Sequence, residues 1–276
     1  MGWPVLQRQS FLRFAVVAFV VSVVFVGIVG IATRGGAPYS EAFDDFSPVP
    51  GPGRGQAVPG APDARSAPVE FLSFVVEDVQ RFWRRQFERA DLEYEPTQVV
   101  LFRAAAPTGC GVAAAGMGPF YCPVDRRVYL AVPFFRVLAM EFGAPGDFAQ
   151  AYVVAHELGH HVQTISGVTE EVQEAAAEDA GSRNELSIRL ELQADCLAGV
   201  WAYSTYERGL LERGDLDEGL RAAAAVGDDV IQTRTQGRID PETWTHGSAR
   251  QRRSWFLTGF LTGDPGACDT FSVPAP

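Results

Sequence analysis

The longest apolar stretch of the chain comes first. Residues 14–32, FAVVAFVVSVVFVGIVGIA, carry no charge and would be apolar on every helical face. This predicts a membrane-crossing helix over residues 14–33. Residues 34–68 are crowded with proline and glycine and offer little that could pack, so a disordered linker is expected. Helical periodicity starts at residue 69, where Leu72, Val75, Val76, Val79, Phe82, Trp83 and Phe87 share one stripe up to about residue 90. TQVVLFR (97–103) and RVYLAV (127–132) read as strands, and the Gly- and Pro-rich stretch between them as a loop crossing a short strand. After a short helix at 134–141, a helix is predicted from near Gly146 and Asp147, with Asp147 as its N-cap and Gly167 as its stop. The run Tyr152–Ala155 predicts burial almost all round. An acidic surface follows at 168–186, then a helix with Leu186, Leu190, Leu197, Val200, Trp201 and Leu210 toward the core. Residues 215–233 and 247–262 read as two further helices, and the end, GDPGACDTFSVPAP, as irregular. The sum is an α+β fold, mostly helical, with a small β-sheet. Its parts are an N-terminus at 1–13, a transmembrane helix at 14–33, a linker at 34–68, one folded domain at 69–271 and a tail at 272–276.

Composition adds little to this, and charge excludes one class of partner. The apolar fraction of 47% and charged fraction of 21% are ordinary for a globular domain. A formal net charge of −11 argues against a nucleic-acid partner, which would need a basic face. The short basic clusters RRQFER and RQRRSWF are expected to be solvated helix faces. Arg8 and Arg13 precede the apolar run, whereas Glu41, Asp44 and Asp45 follow it. That asymmetry puts the N-terminus in the cytoplasm and the domain outside, as a single-pass protein of the cell membrane. A cleaved signal peptide, with Gly30 and Ala32 near the cut, would instead secrete the domain; the length of the run favours an anchor. Either route leads out of the cytoplasm, where Cys110 and Cys122 are most simply a disulfide clamping their loop. Cys196 and Cys268 could form another bridge, but four cysteines allow three connectivities and sequence does not choose among them.

The chemistry concentrates in AYVVAHELGHHVQ (151–163), which holds three of the four histidines. His156 and His160 lie one helical turn apart, so both imidazoles can reach one ion, with Glu157 beside them as a base for an activated water. A catalytic zinc needs a third protein ligand and an open position. Gln163 and Ser166 stand where a metzincin would have glycine and its third histidine, so that arrangement is excluded. Glu191 in ELQAD is the best third ligand. Asp195, one turn further, could accept the free ring N–H of His156 or His160. Two carboxylates on one face inside an apolar helix are costly to bury unless paired or metal-bound. Glu178 competes as third ligand but lacks the apolar flanks. His161 points off the metal-facing side and suits packing or hydrogen bonding. Gly159, beside a ligand, would allow another element to approach closely.

HELGHHVQ followed by ELQADCLAGVWA, with GCG…GPFYCPVD upstream and WTHGSARQRRSWFLTGF downstream, resembles the neutral zinc metallopeptidase family over roughly residues 69–271. The HExxH and ExxxD pair is also similar to the wider gluzincin group. The resemblance implies a zincin-like peptidase domain with one catalytic Zn2+, ligands His156, His160 and Glu191, base Glu157 and orienter Asp195. It implies a peptide or protein substrate and one N-terminal membrane span. An oxyanion would need a further donor. His246, the only histidine outside the motif, is the candidate, against a capping or core role; Tyr203 and Tyr206 are weaker ones. A strand from 111–121 could pair with an extended peptide. Two other readings stay open: a zinc amidase acting on cell-wall peptide, and a non-catalytic binding or scaffold protein. Oligomeric state is not legible.

Overall fold

The computed structural model describes Ala42, Phe43, Phe46, Ser47 and residues 68–276. The apolar run at 14–33 and most of the expected linker lie outside the described residues. Among the described residues no helix is long and apolar enough to cross a membrane.

Helix α1 (Pro68–Arg89) turns its apolar stripe inward, burying Phe71, Leu72, Val75, Val79, Phe82, Trp83 and Phe87. Part of the expected linker packs on it. Phe43 and Phe46 are both buried, and the Phe46 ring stands edge-on to Phe87 at 4.9 Å and to Trp83 at 6.4 Å. Two aromatics in an acidic FDDF stretch carry no periodicity, so their burial is invisible until α1 supplies the surface.

Strands β1 (Gln98–Phe102) and β5 (Arg127–Ala131) pair in parallel, Gln98 against Arg127 through Phe102 against Ala131. The expected loop between them is more ordered than its composition suggests. It folds as a hairpin, β2 (Ala105–Thr108) against β3 (Gly111–Ala114), followed by a short 3-10 turn and β4 (Phe120–Cys122). β4 pairs antiparallel with β5, giving the order β1-β5-β4. Alanine and glycine have poor intrinsic strand preference. The Cys110–Cys122 disulfide joins the hairpin turn to β4, adding to the apolar cluster in which Ala106 and Ala113 are buried with Phe102 and Tyr129.

Helix α2 (Val132–Met140) follows β5 directly, and α3 (Asp147–Ile165) crosses the centre of the molecule, buried almost all round as expected. Its N-cap is Gly146, not Asp147. Glu218 of a neighbouring helix accepts a hydrogen bond from the Phe148 N–H at 3.2 Å and occupies the space of a Cβ at 146, 1.9 Å away. With φ at +125°, position 146 is glycine for both reasons.

The acidic stretch divides into α4 (Val168–Glu178) and the start of α5 (Arg183–Glu207). Leu210 lies beyond the end of α5 and is only half-buried, contrary to the expected core position. The single helix expected at 215–233 is two, α6 (Asp215–Ala225) and α7 (Asp228–Gln236). They part at Gly227, where a Cβ would sit 2.3 Å from the backbone N of Ala249, the first residue of α8 (Ala249–Thr262).

Close helix contacts set the rest. A Cβ at Gly159 would lie 3.2 Å from the Ala194 carbonyl oxygen, so α3 and α5 touch backbone to backbone, as the glycine beside the motif suggested. Between α5 and α8 the approach is tighter. Cβ atoms at Gly199 and Gly259 would meet the Phe256 and Cys196 carbonyl oxygens at 2.1 and 1.9 Å. The Cys196–Cys268 disulfide fastens the end of the chain to α5, which selects one of the three connectivities. A 3-10 turn (Pro265–Cys268) begins that end. Beyond it, Arg189 donates to the carbonyls of Thr270 and Val273, and Gln251 donates to that of Pro276. Residues 264–276 are therefore a strap over α5 and α8.

Candidate metal centre

The contact at Gly159 sets one turn of α3 against one turn of α5. It brings His156 and His160 opposite Glu191 and Asp195. The Nε2 atoms of His156 and His160 lie 3.2 and 3.4 Å from the two Glu191 carboxylate oxygens. One ligand atom from each of the three residues falls within 4.8 Å of the others. Each imidazole has an acceptor on its other nitrogen: Asp195 Oδ1 at 3.0 Å from His156 Nδ1, and Gln163 Oε1 at 2.8 Å from His160 Nδ1. Ring hydrogens on both Nδ1 atoms leave both Nε2 lone pairs facing the same point as the Glu191 carboxylate. Two imidazole nitrogens and one carboxylate oxygen are a donor set that suits a catalytic zinc.

Charges around this point are arranged for a cation. Burial pulls the His156 imidazole down, but Asp195 and Glu191 outweigh it and raise its pKa to about 9. Burial pushes the Glu191 carboxyl up, yet the charges of His160 and His246 and hydrogen bonds from His156 and His160 hold it well below its ordinary range. An ionised carboxylate against the His156 imidazole, which keeps its proton at neutral pH, marks a place where an added cation can replace the proton.

Asp195 is fully enclosed. It accepts from His156, from the Tyr152 hydroxyl, and from Arg252 through Nε at 2.8 Å and Nη2 at 3.0 Å. Burial pushes its carboxyl up; Arg252 and His156 outweigh this and bring it below its usual value. This corrects the expectation for RQRRSWF. Arg250 and Arg253 are exposed, but Arg252 is 2% exposed and also stands 3.6 Å from Glu191. The Gly199–Gly259 approach delivers it. A signal existed: Arg252, Phe256 and Gly259 fall at i, i+4 and i+7, so Arg252 lies in the inward stripe of α8.

Glu157 is buried next to the ligands, and burial raises its carboxyl pKa, partly offset by His156 and His160. His246 sits on the loop before α8. Its Nδ1 lies 3.1 Å from Asp228 Oδ1 and 3.0 Å from the Thr245 hydroxyl. Burial pulls the His246 imidazole down, but the charge of Glu191 and then Asp228 outweigh this, so its pKa is raised. Asp228, missed in the sequence, holds the loop by accepting from the backbone N–H groups of Thr245, His246 and Gly247 at 2.8, 2.6 and 3.1 Å. One acidic residue among many gave no signal before that loop folded onto it.

The remaining candidates lie elsewhere. His161 points away: Nε2–H donates to the Glu95 carbonyl at 2.6 Å, and Nδ1 accepts from the Tyr121 hydroxyl at 3.2 Å, fastening α3 to β4. Glu178 is exposed at the end of α4. Tyr203 and Tyr206 pack with Phe260 at the far end of α5. A second group of possible ligands, Asp147, Asp215 and Glu218, is all-carboxylate and partly exposed beside the start of α3, where a helix dipole favours negative charge without an ion.

A pair of crossing helices, one carrying two histidines and a glutamate and the other two carboxylates a turn apart, defines a mostly helical protein with a His-His-Glu cluster that could hold a metal ion. The chain belongs to the family described as "Putative neutral zinc metallopeptidase", whose profile matches residues 17–271. Membership in that family implies zinc as the metal. "Uncharacterized protein YpfJ" of Escherichia coli (strain K12) is 46% identical over 203 residues, covering 73% of this chain and 71% of that one. "Uncharacterized protein Rv2575" of Mycobacterium tuberculosis (strain ATCC 25618 / H37Rv) and "Uncharacterized protein Mb2605" of Mycobacterium bovis are each 52% identical over 191 residues, covering 65% of this chain and 64% of theirs. No solved structure matches the chain.

Proposed function

We propose that this protein is a zinc-dependent peptidase, held at the outer face of the cell membrane by its N-terminal apolar run. The observation that carries the catalytic part is the orientation of His156 and His160. Both Nδ1 atoms lie within hydrogen-bond distance of a side-chain oxygen and both Nε2 atoms face Glu191, with Glu157 in the next position after His156 along α3. His156, His160 and Glu191 would hold the ion, which supplies Lewis acidity for activating water and polarising a peptide carbonyl. Glu157 takes the proton from the attacking water and delivers it to the leaving amine; its burial-raised pKa suits a base that must also give the proton back. His246 donates from Nε2 to the developing oxyanion while Asp228 accepts at Nδ1 and keeps the ring in place. Two disulfides support a site outside the cytoplasm, where such bonds persist.

The test is the full chain against Glu157→Gln, with zinc content and peptide hydrolysis measured together. Zinc should stay stoichiometric while hydrolysis falls by about 10²–10⁴-fold, the range for loss of a general base. Undiminished hydrolysis in the variant would reject the mechanism, and a wild-type chain that holds no zinc would reject the site.

A further inference from the structure

His160 does not have a carboxylate behind it, as His156 has. Its Nδ1 faces the side-chain amide of Gln163, 2.8 Å away. Gln163 is completely buried, and its Nε2 donates to the Leu190 carbonyl at 2.8 Å and to Gln193 Oε1 at 3.0 Å. Gln193 is completely buried too, and its Nε2 donates to the Cys268 carbonyl at 3.2 Å. Cys268 is in turn bonded to Cys196, three residues along α5 from Gln193. Two side-chain amides thus join the second histidine to the strap at the end of the chain.

The direction of this chain is not free. Backbone carbonyls can only accept, so Leu190 and Cys268 require the NH2 groups of Gln163 and Gln193 to point at them. The Gln163 oxygen must then face His160. An oxygen there requires hydrogen on Nδ1, which leaves the Nε2 lone pair free for the ion. Reversing Gln163 would set its oxygen against two acceptors and an NH2 against Nδ1. In a fully buried place each unsatisfied group costs about 1–3 kcal/mol.

We propose that Gln163 and Gln193 form a neutral amide relay that positions His160 as a metal ligand, with its polarity set by the Leu190 and Cys268 carbonyls. Both are positioning residues; neither touches the ion. The proposal rests on reading His156, His160 and Glu191 as the metal site. Within that site the two histidines are then oriented by different means. His156 is oriented by a charged group, whereas His160 is oriented by an uncharged pair that adds no negative charge to a centre already holding Glu157, Glu191 and Asp195. A glutamate at 163 would bring a fourth buried carboxylate, with no arginine supplied for it.

The experiment measures zinc affinity by chelator competition and the visible spectrum of the cobalt-loaded form, using the full chain and the variants Gln163→Met, Gln193→Met and the double variant. Methionine keeps length and volume but cannot accept from His160 in the same way. Gln163→Met should weaken zinc about 10–100-fold, as loss of a partner behind a ligating histidine does, and should shift the cobalt absorption. Gln193→Met should weaken zinc in the same direction by less. The double variant should bind no more weakly than Gln163→Met alone, because Gln193 acts through Gln163. A purely structural role predicts lower unfolding midpoints with unchanged zinc affinity in the folded protein, or independent, additive losses. Either result overturns the relay. If Gln163→Met does not fold, Gln193→Met decides the matter alone, and unchanged affinity in it overturns the proposal. A wild-type chain that binds no zinc would instead overturn the reading of the site.

Discussion

Replacing Arg252 with methionine should be among the most damaging single changes in the domain, although the residue touches no substrate. The residue is 2% exposed, and its guanidinium makes two hydrogen bonds to Asp195, whose side chain is fully buried. Removing one partner of a buried ion pair costs about 3–5 kcal/mol, because the other charge is left without compensation. In the zinc-stripped chain Asp195 would keep the Tyr152 hydroxyl and the His156 ring, whose pKa of about 9 leaves it a cation at neutral pH, so the lower end, about 3 kcal/mol, is the expected loss. For a domain of this size each kcal/mol moves the midpoint by about 2–4 °C, so a drop of about 6–12 °C follows. The assay is urea and thermal unfolding of the zinc-stripped full chain in detergent, since bound metal would add its own stabilisation. Combining Arg252→Met with Asp195→Asn should recover most of the loss, because no uncompensated charge then remains. A loss under about 1 kcal/mol for the single variant would refute the argument. A double variant as unstable as the single would show that guanidinium packing, not charge, is what matters.

Two further perturbations test the packing that brings the site together. Phe46→Ala should destabilise the full chain by about 3 kcal/mol, the ordinary cost of emptying a buried phenylalanine site, since Phe46 fills the space over Trp83 and Phe87; an unchanged urea midpoint would detach this segment from the core. Gly259→Ala places a Cβ 1.9 Å from the Cys196 carbonyl oxygen, so α5 and α8 must separate. Overpacking of this kind costs about 1–3 kcal/mol, and a variant as stable as the wild type would show that the helices do not cross so closely.

The legible parts of this molecule are those whose partners lie within a turn or two of chain. The α1 stripe, the His156–His160 spacing and the Glu191–Asp195 spacing are helical periods, and a period needs no knowledge of the rest of the fold. Gly159 was legible for a related reason, because a missing side chain beside a ligand already implies a near neighbour. The parts that failed depend on contacts between distant segments. The helix expected at 215–233 breaks because α8 begins against Gly227, and the capping residue of α3 is displaced because Glu218 arrives from α6. The hairpin at 105–114 is held by a disulfide and by two buried alanines, residues of poor strand preference that do not advertise a strand. Arg252 was misplaced because a run of arginines suggests solvent, although its spacing from Phe256 and Gly259 put it in the inward stripe.

Charge explains why Arg252 is inside at all. Glu157, Glu191 and Asp195 are three carboxyl groups packed beside two imidazoles on touching turns of α3 and α5. An ion held by Glu191 would offset that carboxylate and displace the proton that His156 otherwise carries. It does nothing comparable for Asp195, which lies behind His156. Without a cation of its own, Asp195 would either take up a proton and stop accepting from His156 Nδ1, or remain as an unpaired buried charge. Arg252 opposes both outcomes, since its charge, together with that of His156, holds the Asp195 carboxyl below its usual value. His160 avoids the same problem because its partner is the neutral amide of Gln163. With a metal at Glu191, the centre would divide its charges between a fixed arginine for Asp195 and an exchangeable ion for Glu191.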